Sequence, residues 1–525
     1  MTDPAVTLTP NPDDGLGVGA MPGTLISQAP GHRYRPSGES TDGNQDRNRG
    51  CSAVHTDPEC LLPFPAVEML ARAGQDDYQR WISHVGAARG CSHPVRLTGE
   101  ITDIDPATGE ILRRTDSTAM PDGVLYVPCG TRRASICPAC AETYRRDAYQ
   151  IVKAGLDGGK GISADVAAHP AVFATFTAPS FGPVHTRVTG PGGKVLRCRP
   201  RRKATICPHG RHLSCPHRHK DTDSRLGKPL CPDCYDYDAA VAWNAHAPEL
   251  WRRTMIALRR RLDKAAKPAR IKLSCAKVAE FQARGVIHFH ALFRLDGYDP
   301  ADPETLLPPP SQLPPPSQLT TADLDDAIRL AAAGAWFATV PHPAKPGGWD
   351  INWGTQLDRR PVSISPSGDI TSGQVAGYLA KYATKATEPV GIAAARITVD
   401  TISHYAAAPT HQGRIIRACW KLGAHHHPDF CALRRWAHML GYRGHFLTKS
   451  RRYSVTFKSL RAARATWRRR QEPLAIKGDQ GDAPIRVTLL TYAGTGWRTT
   501  ADAFLALSAA ARAREHERVA RQETA

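Results

Sequence analysis

The chain has 525 residues, a length that favours several domains over one compact core. Hydrophobic residues make up 41%, which is enough to form buried cores, and the formal net charge of +20 favours a polyanionic partner: DNA, RNA or an acidic membrane. No apolar run approaches the ~20 residues of a membrane helix, the N-terminus lacks the features of a signal peptide, and no P-loop motif occurs. The composition therefore predicts a cytoplasmic protein and argues against an ATP-driven motor.

Composition changes along the chain predict its domain organisation. Pro-, Gly- and Asp-rich sequence predicts a disordered tail, and paired cysteines predict small metal-binding modules. The predicted segments are a disordered tail at 1–60, an N-terminal zinc-binding module at 61–160, a main domain at 161–390 with an inserted zinc module at 196–238 and a Pro-rich linker at 300–320, and a basic, mainly helical C-terminal region at 391–525.

Hydrophobic periodicity predicts the main secondary-structure elements of these segments. The predicted elements are a strand at Val172–Thr177, a helix at Ala239–Lys267, two strands around a turn at 271–295, a helix from about Thr321, a helix at 372–386, and an Ala/Arg-rich helix from about Thr500.

The first cysteine cluster contains a Cys-x-x-Cys pair, Cys137 and Cys140, of the kind that presents two thiolates to one tetrahedral metal ion. Cys129 lies eight residues upstream of Cys137, and Cys91 is the next candidate. We predict that Cys91, Cys129, Cys137 and Cys140 bind one structural Zn²⁺; the alternative is a set of reduced cysteines without a metal.

The second cluster is richer in candidate ligands. It contains the pair Cys231 and Cys234, and the simplest partners for that pair are Cys207 and Cys215. Histidines compete for the same role, so several ligand sets are open. We predict a second structural Zn²⁺ bound by Cys207, Cys215, Cys231 and Cys234, and both sites are expected to stabilise small modules that lack a large core. Further candidates are Cys198, His209, His212, His217 and His219.

The segment around residues 278–293 predicts a metal site with open coordination positions. His288 and His290 flank Phe289, so on a strand both imidazoles lie on one face and Phe289 lies on the other. If Gly285 occupies the positive-φ position of a three-residue hairpin loop, Glu280 pairs with His288. One carboxylate and two imidazoles then suit a divalent cation. Taken alone, two half-buried histidines without a metal would be the simpler interpretation.

The segment 377–385 places two phenols and two ammonium groups together. Tyr378 and Tyr382 are four residues apart and lie on one face of a helix, and Lys381 and Lys385 each follow a tyrosine by three. Two aromatic residues at this spacing are commonly core residues. A lysine beside a phenol also favours the phenolate, so the segment is a candidate for a tyrosine nucleophile.

The ordered combination of these two motifs resembles the HUH endonucleases, and most closely the RepSA-type initiators of actinobacterial plasmids. The order of the two motifs separates the HUH subfamilies. In mobilisation relaxases the tyrosine precedes the metal-binding histidines, whereas in rolling-circle replication initiators it follows them, as it does in this chain. The resemblance implies an α+β fold, with an antiparallel sheet and flanking helices, beside the zinc modules and the basic helical region. It also implies that His288, His290 and Glu280 are the ligands of a catalytic Mg²⁺ or Mn²⁺ ion, and that Tyr382 is the nucleophile.

The resemblance also implies the reaction and its partners. The protein is expected to nick and rejoin one strand of origin DNA, presented as a single strand or a hairpin, through a 5′-phosphotyrosine intermediate. A host DNA polymerase would extend the free 3′-OH, and a host helicase would unwind the duplex. No membrane partner is expected. The single-tyrosine relatives have Glu where this chain has Tyr378, which leaves open whether Tyr378 is a second nucleophile or positions the strand.

Two other functions share part of this pattern. A two-tyrosine transposase of the HUH type would act on transposon ends instead of an origin. A non-catalytic zinc-containing DNA-binding regulator would form no covalent adduct with DNA. The basic regions 251–272 and 434–470 of the predicted initiator are expected to contact phosphates, and the alternative for them is a solvated helical face.

Overall fold

The computed structural model describes residues 64–201, 205–265, 271–297, 319–363, 370–384, 396–471 and 484–523. The predicted tail at 1–60, almost all of the Pro-rich linker at 300–320, and Lys385 lie outside these residues. Among the described residues, no helix is long and apolar enough to cross a membrane.

The described residues form α-helices and mainly short β-strands. The helices are α1 Phe64–Ala73, α2 Tyr78–Val85, α3 Pro138–Asp157, α4 Tyr237–Ala265, α5 Thr321–Gly334, α6 Ser372–Ala383, α7 Ile402–Ala407, α8 His411–Leu422, α9 Pro428–Arg435, α10 Phe457–Gln471 and α11 Thr500–Glu523. The strands are β1 Val95–Ile104, β2 Ile111–Asp116, β3 Leu125–Val127, β4 Ala171–Phe176, β5 Val188–Thr189, β6 Val195–Leu196, β7 Ile271–Phe281, β8 Ile287–Gly297, β9 Trp336–Ala338, β10 Asp350–Asn352, β11 Leu357–Ser363, β12 Ile370–Thr371, β13 Leu447–Lys449 and β14 Ile485–Thr495.

The predicted elements are confirmed as β4, α4, the β7–β8 pair, α5, α6 and α11. The sequence analysis did not predict β14, which pairs in antiparallel orientation with β1. The described chain divides into two compact units, and the first joins residues 64–130 and 136–140 with residues 461–523. The two ends of the described chain, which the sequence analysis assigned to separate segments, therefore belong to one unit.

The first unit contains a four-stranded sheet in which β1 pairs with β14, β2 and β3. Its core contains Trp81, Tyr126 and the sulfur atoms of the first cysteine cluster. Trp81 donates a hydrogen bond from Nε1 to Asp122 Oδ2 at 2.8 Å, and the Tyr126 hydroxyl donates to the same oxygen at 3.0 Å. Asp122 thus satisfies the polar atoms of both buried aromatic side chains.

The second unit, residues 131–135 and 141–460, is built on a six-stranded sheet of order β12-β11-β4-β8-β7-β13. All of its neighbouring strands are antiparallel except β11 and β12. The fold is therefore α+β with an antiparallel sheet, as predicted.

Alternation along β8 separates the two faces of this sheet. Phe289 and Phe293 are fully buried in a core that α4, α5 and α8 cover. Leu292 faces the opposite core, where Val375 and Leu379 of α6 pack beside α3. The period of two residues places His288 and His290 on the α6 side of the sheet.

A buried charge cluster stabilises the end of β8. Arg294 donates to both carboxylate oxygens of Asp296, from Nε at 2.6 Å and from Nη2 at 2.9 Å, and both side chains are almost fully buried. His169 Nδ1 lies 2.8 Å from Asp296 Oδ1, and the Ser274 hydroxyl also donates to this carboxylate. A buried ion pair that loses one partner leaves an uncompensated charge in the protein interior.

Replacing Asp296 by Ala should therefore lower the free energy of unfolding by about 3–5 kcal/mol, because the buried guanidinium of Arg294 loses its carboxylate partner. Urea denaturation of the two proteins measures the difference. Asp326→Ala is the control, since it removes an exposed pair with Arg329 and should change stability by less than about 1 kcal/mol. Equal effects of the two substitutions would contradict the role given to the buried cluster.

Candidate catalytic site

The β7–β8 hairpin has the register that the sequence predicts. Glu280 pairs with His288, and Phe281 pairs with Ile287. Gly285 has φ +75°, and its N–H donates to Gln282 O at 2.8 Å, which closes the turn. A Cβ atom at Gly285 would also approach Ile415 Cδ1 to 2.5 Å. The positive φ and this close approach both explain why glycine suits the position.

Three potential metal ligands converge on one face of the hairpin. Glu280 Oε2 lies 3.1 Å from His288 Nε2 and 3.2 Å from His290 Nε2, and the two Nε2 atoms are 3.1 Å apart. His290 is buried, and its Nδ1 lies 3.1 Å from the Thr175 hydroxyl on β4. Phe289 is fully buried on the opposite face, as predicted.

The protonation states of this group suit metal binding. Burial alone would raise the pKa of Glu280, but hydrogen bonds with His288 and His290 outweigh it and lower the pKa to about 2. Burial lowers the pKa of His290 and favours the neutral imidazole. An ionised carboxylate beside a neutral imidazole is a donor pair that divalent cations accept.

Helix α6 brings both tyrosines to this group. Thr371 caps its N-terminus through a capping box with Gln374. Val375 and Leu379 anchor α6 in the buried core on this side of the sheet. Tyr378 and Tyr382 lie beside His290 of the hairpin. The ring centroid of His290 is 5.0 Å from that of Tyr378 and 5.4 Å from that of Tyr382.

The two phenols are in different electrostatic states. Burial raises the pKa of both, and the charge of Glu280 adds to the rise. The hydrogen bond between the phenols raises the pKa of Tyr378 further and offsets part of the rise at Tyr382. Lys381 is exposed, with Nζ 5.8 Å from the centre of the Tyr382 ring. Lys385 lies outside the described residues.

The first cysteine cluster has the composition that the sequence predicts. Cys129 Sγ is 3.6 Å from Cys140 Sγ, and Cys137 Sγ is 3.7 Å from Cys91 Sγ. Four thiolates around Zn²⁺ at about 2.3 Å are separated by about 3.8 Å, so these spacings suit a tetrahedral zinc site.

The predicted second set of four cysteines does not come together as one group. Cys207, Cys231 and Cys234 do lie together, and their fourth neighbour is His209. Cys215 lies instead with Cys198 and two histidines, because Arg199 and Cys215 pair through a β-bridge. The Cys215-x₃-His219 spacing could have indicated this second group, whereas the sequence offers no local signal for its fourth member, His185.

The fold and the site define a protein with an antiparallel sheet that presents a carboxylate, two imidazoles and two phenols, and with Cys/His clusters that could hold a metal such as zinc. A family model described as RepSA, the replication initiator protein of pSAM2, matches residues 77–511. A protein of Streptomyces ambofaciens named "Replication initiator protein" is 40% identical over 479 residues, which are 89% of this chain and 97% of that protein. The chain therefore belongs to the RepSA family of replication initiators. No solved structure matches.

Proposed function

We propose that the protein initiates rolling-circle replication of a plasmid as an HUH-type endonuclease that nicks and rejoins one strand of origin DNA. The observation that supports this proposal is the convergence of Glu280, His288 and His290 beside the two phenols of α6. The match to replication initiators supports an origin as the substrate over transposon ends.

The reaction is a transesterification on the Tyr382 hydroxyl. Its oxygen attacks the phosphorus of the scissile phosphodiester, and the bond to the 3′ oxygen breaks. The phenol loses its proton and the leaving 3′ oxygen gains one, so the products are a 5′-phosphotyrosine link and a free 3′-OH. A second transfer rejoins the strand without a nucleotide cofactor, in agreement with a sequence that contains no P-loop motif. The 3′-OH is extended by a host polymerase, and a host helicase unwinds the duplex.

The hairpin side chains would hold the catalytic metal. Glu280 Oε2 and the Nε2 atoms of His288 and His290 would hold Mg²⁺ or Mn²⁺, and such an ion would withdraw charge from the non-bridging phosphate oxygens. Thr175 contacts His290 Nδ1 and so directs Nε2 towards Glu280. Lys381 adds positive charge near Tyr382, and Lys385 is assigned the same role.

Tyr378 has a separate role in this proposal. Burial raises the pKa of Tyr382, and the hydrogen bond with Tyr378 offsets part of that rise, which favours the attacking phenolate. The Tyr378 side chain is 37% exposed, so this second phenol also reaches solvent. It is therefore the candidate nucleophile for the second, rejoining transfer.

Zn²⁺ is the metal that we assign to the cysteine clusters. Cys91, Cys129, Cys137 and Cys140 offer four thiolates, and Cys207, Cys231 and Cys234 offer three. Soft thiolate ligands select zinc over Mg²⁺ or Mn²⁺. A fully ligated zinc has no open position for a phosphate, so these sites stabilise the fold.

The C-terminal basic region contains a surface suited to single-stranded DNA. Trp467 of α10 is 63% exposed and, with Arg89, Arg464 and Arg468, lines a cavity of about 520 Å³. An exposed indole offers a stacking platform for an unpaired base, and guanidinium groups beside it bind phosphates.

Replacing Trp467 by Ala should weaken binding of single-stranded DNA by about 1–3 kcal/mol, roughly five- to 150-fold, because one stacked base is lost. Fluorescence anisotropy with a labelled oligonucleotide measures the change. Trp336→Ala is the control, since Trp336 is also 63% exposed and does not line this cavity. Unchanged affinity of the Trp467 variant would exclude a stacking role.

The proposed function is tested by incubating the protein with single-stranded origin DNA and Mn²⁺ and separating the products on a denaturing gel. A covalent protein–DNA band is expected. Binding without cleavage or adduct would instead support a non-catalytic regulator.

A further inference from the structure

We propose that residues 185–234 form a cross-braced module with two Zn²⁺ sites, whose ligand pairs alternate between the metals along the chain. One of the two sites combines two imidazoles with two thiolates. The first site consists of His185, Cys198, Cys215 and His219, and the second of Cys207, His209, Cys231 and Cys234.

The first site has distances that match tetrahedral zinc. His185 Nδ1 lies 3.3 Å from His219 Nε2, and Cys215 Sγ lies 3.4 Å from the same nitrogen. Ligands at about 2.0–2.3 Å from a tetrahedral Zn²⁺ are separated by about 3.3–3.8 Å. Cys198, Cys215 and His219 are buried, and the Thr186 N–H donates to Cys198 Sγ at 3.1 Å, as expected for a thiolate ligand.

A carboxylate outside this site orients one of its ligands. His219 Nδ1 lies 2.7 Å from Asp223 Oδ2, and Arg225 donates to the same carboxylate. A carboxylate on the far nitrogen fixes the tautomer of an imidazole and directs the other nitrogen to a metal. This arrangement leaves Nε2 of His219 as the nitrogen that faces Cys215 and His185.

The second site is formed in the same way around His209. Its Nδ1 lies 3.2 Å from Cys234 Sγ and 3.8 Å from Cys231 Sγ. The Cys207 N–H donates to Arg211 O at 2.9 Å, and the Gly210 N–H donates to Cys207 O at 2.9 Å, which makes a tight turn at the first ligand pair. Three thiolates and one imidazole also form a zinc donor set.

The order of the ligands couples the two sites. The chain passes from the first site at Cys198 to the second at Cys207, returns to the first at Cys215, and reaches the second again at Cys231. The chain between one ligand pair and the next, at 198–207, 209–215 and 219–231, therefore always runs from one metal to the other. The described residues of the module form only short strands, single helical turns and isolated bridges, so zinc binding is expected to supply much of its folding free energy. Loss of either zinc should release the other.

The module packs against the tip of the β7–β8 hairpin. The Gly227 N–H donates to O of the ligand His185 at 2.9 Å, and a Cβ atom at Gly227 would approach the carbonyl carbon of Ala283 to 2.2 Å. Arg284, at the tip, donates to Pro179 O at 2.8 Å and to Ala178 O at 2.9 Å, just before the module. The zinc sites therefore support the turn that fixes the pairing of β7 with β8.

The coupling is tested by zinc analysis of the purified full-length protein and its variants. Cys198→Ser and Cys234→Ser should each lower the zinc content by about two ions per chain, whereas Cys140→Ser, in the first unit, should lower it by about one. Loss of a single zinc from each of the first two variants would overturn the cross-brace.

A second measurement avoids variants that fail to fold. The wild-type protein is treated with a chelator and N-ethylmaleimide, and modified cysteines are mapped by mass spectrometry. All five cysteines of the module should lose protection together: Cys198, Cys207, Cys215, Cys231 and Cys234. Modification of Cys198 and Cys215 while the other three stay protected would contradict the proposal. Neither measurement depends on DNA cleavage, so either can fail without affecting the proposed function.

Discussion

Tyr382→Phe should eliminate the covalent protein–DNA adduct, because the phenol oxygen is the attacking atom in the proposed reaction. Phe retains the ring that stacks on His290 at 5.4 Å, so folding and DNA binding should persist. Denaturing gel electrophoresis with 5′- and 3′-labelled single-stranded origin DNA measures both adduct and cleaved strand.

Tyr378→Phe is the matched control, since it removes the neighbouring phenol from the same helix face. This variant should still form the adduct, at a lower rate, because Tyr382 loses the hydrogen bond that limits the rise of its pKa. Rejoining of the strand should be the more affected step. Equal loss of adduct in the two variants would contradict the assignment of Tyr382 as the first nucleophile and Tyr378 as its supporting phenol.

Replacing His288 and His290 together by Ala should reduce cleavage by a factor on the order of 10³ or more, because two of the three proposed metal ligands are lost and metal ions contribute several kcal/mol to such reactions. Origin binding should be largely retained, since neither histidine belongs to the basic regions or the zinc clusters. Cleavage rates at increasing Mn²⁺ concentrations, beside a binding assay, separate the two effects.

Two controls make the metal assignment specific. Thr175→Val removes only the hydroxyl beside His290 Nδ1 and should weaken apparent Mn²⁺ affinity by about 10- to 100-fold, the usual range for such supporting residues. His404→Ala removes an exposed histidine from α7 and should leave cleavage unchanged. Undiminished nicking by the double histidine variant would rule out this metal site.

The hairpin and the tyrosine helix were predictable because their signals are local. Gly285 and the alternation around Phe289 define the turn and the faces of β8, which together place Glu280 opposite His288. A spacing of four residues places Tyr378 and Tyr382 on one helix face without any knowledge of the rest of the fold.

The parts that sequence reasoning missed depend on contacts between distant segments. Cys215 lies with Cys198 instead of Cys207 because a β-bridge between Arg199 and Cys215 brings these two segments of the chain together. His185, the fourth member of that group, belongs to no short sequence motif. The same reason explains β14, which pairs with β1 from the other end of the described chain. Composition identified the cysteine-rich segment as a metal-binding module but could not give its ligand sets, and it assigned the region of β14 to a mainly helical segment.

The most direct test of the account is to identify the residue that becomes linked to DNA. The wild-type protein is incubated with single-stranded origin DNA and Mn²⁺, digested with nuclease and trypsin, and analysed by mass spectrometry. Trypsin cleaves after Lys381 and so separates Tyr378 from Tyr382 into different peptides. We predict a nucleotide-linked Tyr382 in the peptide from Tyr382 to Lys385. Linkage at Tyr378 alone, or cleavage with no linked peptide, would contradict it.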